Sequence, residues 1–236
     1  MICELNNDNY MPLIGDIAPS FNASTTNGPI KFPEDLAGKW VILFSHPGDF
    51  TPVCTTEFIA LQQEYAELKK LNTELLGLSV GSLASHLGWI DAIEKMPDGK
   101  KITFPLIDDM NMSIAKKYGM LHHNASDTHT VRAVFIIDPH HIIRAIMYYP
   151  ATLGRNTDEI KRALIGLQVA DRFHVAVGAN WMPGAPVLTP SPATAKQMRQ
   201  STQNNPWFIK YTKVNANDIY RKKTTKQRTK KHSRAK

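Results

Sequence analysis

Cys54 is where the residue types of this chain first promise chemistry. It closes the stretch His46-Pro47-Gly48-Asp49-Phe50-Thr51-Pro52-Val53-Cys54, with Glu57 three residues further on. Pro47 and Pro52 have no backbone donor and Gly48 and Asp49 are turn formers, so residues 46–53 are expected to form a bent, rigid loop. Ahead of the loop, Trp40 to Phe44 is an unbroken apolar, β-prone run of buried-strand length. Beyond it, Phe58, Leu61, Tyr65 and Leu68 recur at three- and four-residue steps, as on one face of a helix. Cys54 therefore sits where a strand and loop feed the first turn of a helix. Unpaired N–H groups and the helix dipole favour a thiolate over a thiol there, and a thiolate is a nucleophile. The plainer role for a single cysteine is that of a small buried hydrophobe. A ring of Pro47, Thr51 and Pro52 is a poor setting for mere packing.

Pro47, Thr51 and Cys54 reproduce a P-x-x-x-T-x-x-C pattern, and DFTPVCTTE resembles the active-site segment of peroxiredoxins. His46 before the proline, Pro150-Ala151-Thr152, Gly154-Arg155-Asn156 and Asp158-Glu159-Ile160 are similar to the one-cysteine, peroxiredoxin 6-like branch. The resemblance runs from about Pro12 to Pro186. It implies a thioredoxin-like fold and a Cys54 thiolate that attacks hydrogen peroxide or an alkyl hydroperoxide and becomes a sulfenic acid. It also implies no metal or organic cofactor, an external thiol as reductant (glutathione, thioredoxin or another), and a homodimer or higher homo-oligomer.

Such a reaction needs a stabilised thiolate and donors aimed at the departing oxygen. The Thr51 hydroxyl and the N–H groups of Val53 and Cys54 lie at the right place for this. Arg132 opens the strand candidate VRAVFIID, where a buried arginine demands an anionic partner, and it matches the family's strand arginine. Glu57, one helical turn past Cys54, either orients Arg132 through a bidentate pair or is simply a favourable acid in a first turn. Arg155 resembles a second family arginine, although a loop arginine before a helix is commonly solvent-exposed. His46 either helps hold the pocket or a sulfenate, or is a satisfied loop histidine.

These residues require a layered α/β scaffold to bring them together. Leu75 to Val80 reads as a second strand and Leu83 to Met96 as a helix with Leu87, Ile90 and Ile93 inward. Phe104 to Ile107 reads as a short strand, and Met112 to Tyr118 as a short helix ended by Gly119. Val131 to Asp138 and Ile142 to Tyr149 form a hairpin around Pro139-His140-His141, and Ala23 to Phe32 is a second hairpin region. Asn156 caps a helix carrying Ile160, Ala163, Leu164 and Leu167. The elements alone support a layered α/β domain, and the resemblance implies the fold class: α/β, thioredoxin-like, with a C-terminal arm. The expected organisation is a domain over residues 12–170, an arm over 171–220 packed by Trp181 and Trp207 against a partner subunit, and a basic, disordered tail over 221–236.

Of the 28 Lys and Arg residues, nine lie in residues 221–236, which contain no acid, and the remaining 19 face 21 acidic residues. The net charge of +7 thus belongs to the tail. A tail of this kind supports the alternative function, salt-sensitive binding of nucleic acid or another polyanion. No run approaches the roughly eighteen apolar residues of a membrane span. Glu4, Asp8 and Asp16 leave no apolar segment for a secretory signal. The two cysteines, Cys3 and Cys54, have no disulfide-framework or zinc spacing, so a reducing, cytoplasmic location is expected. Gly77-Leu78-Ser79-Val80-Gly81 matches the hydrolase elbow G-x-S-x-G but has no recognisable partners. The serine of the phospholipase segment of mammalian peroxiredoxin 6-like proteins is missing, since Gly38-Lys39-Trp40 stands there. His122-His123 and His140-His141 are expected in surface loops.

Overall fold

The computed structural model describes residues 11–200 and 206–215. Cys3 and the basic tail, on which two of the expectations above rest, lie outside the described residues, as do parts of the proposed arm. Two compact units divide the chain, Met1–Leu164 and Ile165–Lys236.

The first unit is built on one sheet. β1 (Phe21–Thr25) and β2 (Gly28–Phe32) form the expected hairpin, followed by a single 3-10 turn, Glu34–Leu36. β3 (Trp40–Ser45), α1 (Pro52–Lys70), β4 (Thr73–Ser79), α2 (Leu83–Glu94) and β5 (Leu106–Asp108) alternate as two consecutive βαβ units. The short α3 (Ser113–Lys117) precedes the hairpin of β6 (Arg132–Ile137) and β7 (Ile143–Tyr149), and α4 (Thr157–Phe173) crosses from the first unit into the second. The strand order is β2-β1-β5-β4-β3-β6-β7. β3, β4 and β5 run parallel, while β6 is antiparallel to β3 and β7 to β6. An almost wholly apolar β3 is what a central strand covered on both faces requires, and all six of its residues are buried.

Sequence and structure agree on α1, whose Phe58, Leu61, Tyr65 and Leu68 are all buried. They differ on α2. Leu87, expected inward, is 45% exposed, and the buried residues are His86, Trp89 and Ile93. The helix is rotated so that an imidazole, and not a leucine, enters the core. β5 is shorter than expected and begins at Leu106 rather than Phe104. Asn156 does cap α4, its Oδ1 accepting from the N–H groups of Asp158 (2.9 Å) and Glu159 (3.3 Å).

In the second unit β8 (Val187–Leu188) pairs with β9 (Tyr211–Thr212), and α5 (Ala195–Gln200) lies between them in sequence. Trp181 is an anchor of this unit, buried and donating from Nε1 to the Ala185 carbonyl at 3.0 Å. Trp207 is 40% exposed within the chain.

Candidate active site

β3 ends at Ser45 because Pro47 cannot extend a ladder, and the loop turns through Gly48 and Asp49 to Phe50, a solvent-exposed residue at φ 57°. Thr51 is the N-cap of α1 and Pro52 its first helical residue, where a missing N–H costs nothing. The loop is therefore shorter than the sequence suggests: Pro52 and Val53 already belong to the helix. The backbone ladder of α1 opens with Thr55 N–H donating to Thr51 O at 3.0 Å, so the N–H groups of Val53 and Cys54 precede it. Cys54 is the third residue of α1 and is fully buried.

Arg132, the first residue of β6, reaches this turn. Its Nη1 donates to Cys54 Sγ at 3.3 Å and to Glu57 Oε2 at 2.7 Å. Nε and Nη2 both donate to the Ala151 carbonyl, at 3.1 and 2.6 Å, which aims the guanidinium. Arg155 completes the cluster. It donates to Glu57 Oε1 from Nε (2.8 Å) and from its own backbone N–H (2.8 Å), and to Oε2 from Nη2 (2.7 Å). Its Nη1 bonds the carbonyls of Ser45 and Ala133, at 2.8 and 2.9 Å, stapling the ends of β3 and β6.

Two of the readings from sequence change here. The bidentate partner of Glu57 is Arg155, with Arg132 contributing a single bond. Arg155 is buried, not exposed, because its guanidinium finds four acceptors inside the protein, both Glu57 oxygens and two carbonyls. Burial alone would raise the Glu57 carboxyl, but the hydrogen bonds and charge of Arg155, with the charge of Arg132, hold it below its ordinary 4.5. One carboxylate thus sits between two guanidiniums. The cluster keeps a surplus positive charge, and the neighbour able to offset it is the Cys54 sulfur. Groups that would each be costly alone become, with a thiolate, a neutral set.

Thr51 does not point its hydrogen at the sulfur in this state: its hydroxyl donates to the Gly48 carbonyl at 3.0 Å. Pro47 is half-buried. His46 is fully buried, its ring 4.9 Å from that of Phe58 and stacked on Trp89 at 5.1 Å. Its Nε2 lies 2.9 Å from Asp49 Oδ1, and Asp49 Oδ2 lies 2.7 Å from Nδ1 of the equally buried His86. Sequence reasoning misses Asp49 and His86 as functional candidates. The i, i+3 spacing of His46 and Asp49 is a signal for the first; nothing in the sequence joins the second to them.

The elbow-like stretch has no hydrolase geometry. Ser79 is buried, and both nitrogens of His86 are taken, Nδ1 by Asp49 and Nε2 by the Ile107 carbonyl at 3.1 Å, leaving that imidazole unable to serve as a general base for the serine.

With a cysteine, an arginine and their carboxylate assembled at a helix start, comparison with known proteins is decisive. Residues 14–146 match the AhpC/TSA family, and residues 166–202 match the C-terminal domain of 1-Cys peroxiredoxin. The chain belongs to the AhpC/TSA family. A peroxiredoxin of Methanosarcina mazei is 53% identical over 195 residues, covering 80% of this chain and 89% of its own. A peroxiredoxin of Aquifex aeolicus is 48% identical, covering 86% and 98%. Among solved structures, a yeast mitochondrial 1-Cys peroxiredoxin superimposes with a TM-score of 0.75 at 38% identity, over 86% of this chain and 100% of its own. The peroxiredoxin 6 of Arenicola marina does so with a TM-score of 0.72 at 34% identity, over 80% and 88%. The thioredoxin-like α/β fold and thiol peroxidase activity expected from the sequence are those of this family. Polyanion binding finds no support in these relatives. No helix among the described residues is long and apolar enough to cross a membrane.

Proposed function

We propose that Cys54 is the peroxidatic cysteine, with Arg132, Thr51 and Pro47 completing the catalytic set and Glu57, Arg155 and His46 supporting it. The observation that carries this reading is the 3.3 Å contact of Arg132 Nη1 with Cys54 Sγ in the first turn of α1. The thiolate attacks the distal oxygen of a hydroperoxide in line with the O–O bond. An S–O bond forms, the O–O bond breaks, sulfur is oxidised to Cys–S–OH, and the departing hydroxide or alkoxide takes a proton to leave as water or an alcohol. Arg132 and the N–H groups of Val53 and Cys54 stabilise charge that moves from sulfur to oxygen, and Glu57 with Arg155 fixes where Arg132 points. Pro47 sets the loop. Thr51, released from Gly48, supplies a hydroxyl to the entering peroxide.

The sulfenic acid is then attacked by an external thiol, giving a mixed disulfide and water, and a second thiol restores Cys54. Glutathione and thioredoxin are the reductants we favour, because the similar yeast mitochondrial 1-Cys peroxiredoxin has its thiol resolved via glutathione/thioredoxin systems. The enzyme works without a metal or organic cofactor, in a reducing, cytoplasmic setting, as a homodimer or larger homo-oligomer. Its peroxidase domain spans residues 12–170 and its arm 171–220. The test is Cys54→Ser, which should abolish peroxide consumption with a thiol reductant while the protein remains folded. Turnover that survives this change would overturn the reading. Mass spectrometry after one equivalent of peroxide should find sulfenic or sulfinic Cys54 rather than a Cys3–Cys54 disulfide.

A further inference from the structure

The segment that leads into β6 is pinned to the start of the loop that carries Pro47 and Thr51. Two buried hydrogen bonds hold it there. The Thr130 hydroxyl donates to the His46 carbonyl at 2.9 Å, and the Ser45 hydroxyl donates to the Val131 carbonyl at 2.6 Å. His129, one residue earlier, is exposed, and no step above uses it. A methyl group placed on Gly48 would stand 3.9 Å from Cδ2 of His129 and 3.9 Å from Cγ2 of Thr51. The two side chains thus flank a gap that a single methyl would fill. Gly48 is also the residue whose carbonyl holds the Thr51 hydroxyl at 3.0 Å, the bond that opens for an entering peroxide.

The neighbours of His129 fix which of its nitrogens carries hydrogen. Ser126 Oγ accepts from the N–H groups of Thr128 (3.2 Å) and His129 (3.1 Å), which leaves its own hydrogen for Nδ1 of His129, 3.4 Å away. The Thr128 hydroxyl lies 2.8 Å from the same nitrogen. Two hydroxyls able to donate make Nδ1 the acceptor, so the hydrogen resides on Nε2. Nε2 is bonded to Cδ2, which puts this donor on the ring edge beside Gly48. No nearby acid competes for it. Asp127, the one acid in residues 119–131, pairs with His123 at 3.0 Å, and Asp49, the one acid in residues 44–53, is turned inward between His46 and His86. Neither stretch contains a lysine or an arginine, so His129 is the basic side chain they offer beside Gly48.

An exposed N–H donor beside an opening recognises an acceptor, and an anionic acceptor makes the stronger bond. The charge of the buried cluster decides when an anion is drawn in. In the resting site the Cys54 thiolate offsets the surplus positive charge of Arg132, Glu57 and Arg155. Oxidation to the neutral Cys–S–OH removes that anion and leaves the surplus uncompensated, so the site attracts anions most strongly after peroxide has reacted. That is when the reductant arrives.

We infer that His129 is a docking residue for the carboxylate of a small anionic thiol that reduces the sulfenic acid. The inference rests on Cys54 being the peroxidatic residue. With the carboxylate held at Nε2, the thiolate attacks the Cys54 sulfur: an S–S bond forms, the S–O bond breaks, and the departing hydroxide takes a proton to become water. The thiol is oxidised and the Cys54 sulfur is reduced.

Stopped-flow kinetics on the full chain separates the two half-reactions. His129→Ala should react with hydrogen peroxide at the wild-type rate, while its sulfenic acid should react with glutathione about three- to tenfold more slowly, the size of one hydrogen bond. With 2-mercaptoethanol, which has no carboxylate, variant and wild type should match. His129→Lys restores a donor and should recover most of the glutathione rate. Equal slowing with both thiols would overturn the inference, and so would no slowing with glutathione. A second arm sets a fatty-acid hydroperoxide against cumene hydroperoxide. Selective loss with the fatty-acid hydroperoxide and none with glutathione would move the carboxylate from reductant to substrate and overturn the inference as stated. Binding is read without turnover by nitrogen-15 NMR of Cys54→Ser, which like the oxidised enzyme has no anion at position 54. Its His129 Nε2 resonance should shift on titration with S-methylglutathione, and an unmoved resonance would overturn the inference. If the wild type forms no sulfenic acid, the peroxidatic reading of Cys54 fails, and the titration still decides whether His129 takes a carboxylate.

Discussion

Two buried carboxylates within eight residues of each other in sequence are each clasped by a pair of basic side chains, yet they do opposite things. Glu57 lies between two guanidiniums, both permanently charged, and its four hydrogen bonds leave a surplus positive charge beside Cys54. Asp49 lies between two imidazoles, accepts three bonds, and leaves a bare nitrogen on His46. The first cluster is saturated and makes an electric field. The second is unsaturated and makes a vacancy for a hydrogen. Arginine suits the first because it cannot lose its charge, and histidine suits the second because its two nitrogens can differ.

The sharpest way to break this contrast is to remove the carboxylate from the first cluster. Glu57→Gln removes the carboxylate that pairs both buried guanidiniums and leaves only the Cys54 sulfur to offset them, a change that typically costs ~3–5 kcal/mol. We expect a fall in melting temperature far beyond that of any surface substitution, and a lower rate with peroxide as Arg132 loses its aim. A melting temperature within a few degrees of the wild type would mean that solvent reaches the cluster. Arg132→Met should follow in size. Removing one preorganised donor at a reacting centre costs ~10²–10³ in rate, and the second-order reaction with peroxide should fall by that much while the fold, still stapled by Arg155, persists. An unchanged rate would show that the 3.3 Å contact with sulfur is incidental.

How much of this contrast the sequence discloses follows from what each cluster is made of. Cys54, Thr51, Pro47 and Glu57 fall within eleven residues, and the loop-to-helix punctuation around them is local chemistry that a single chain spells out. Arg132 stands out by its awkward position at a strand start. Arg155 is recognisable by resemblance, but its burial depends on Ser45, Ala133 and Glu57 converging from three elements, which no local pattern encodes. The second cluster is hidden for a similar reason. An inward helix face is read from apolar residues, and on α2 that face contains His86, so the apolar pattern puts Leu87 inside instead. Once an imidazole can be satisfied by a carboxylate and a carbonyl, it packs as well as a leucine, and hydrophobic periodicity loses its phase.

A smaller effect separates the clusters by pH. His46 is held below 6.5 by burial, so the unfolded chain takes up a proton before the folded one does. Stability is present above that value and is lost as pH falls below it toward the folded value of His46. Glu57 is depressed from 4.5, so its contribution persists through that first window and is lost only as pH falls from about 4.5 downward. Denaturant titrations should therefore show loss of stability in two acid windows, with a slope of at most ~1.4 kcal/mol per pH unit for each proton. His46→Gln should flatten the upper window and leave the lower one, and a curve identical to the wild type would mean that His46 is not buried neutral.

The smallest expected effect lies at the edge of the second cluster. Ser79 is 1% exposed at the end of β4, and its hydroxyl has no partner among the described residues. Ser79 and His86 both border Gly81: a methyl group placed on Gly81 would meet both His86 Cε1, at 2.8 Å, and Ser79 Oγ, at 3.2 Å. An unpaired buried hydroxyl contributes little and its desolvation is unfavourable, so Ser79→Ala should be neutral or stabilise the protein by up to ~1 kcal/mol, with peroxidase activity unchanged. The same substitution tests the elbow-like sequence, because a serine nucleophile would be eliminated by it. A loss of more than ~1 kcal/mol would show that Ser79 finds a hydrogen-bond partner in solution, which a buried water would supply. The second cluster would then extend past His86 to a third element, and its vacancy would be the single nitrogen of His46 rather than one of two unpaired atoms.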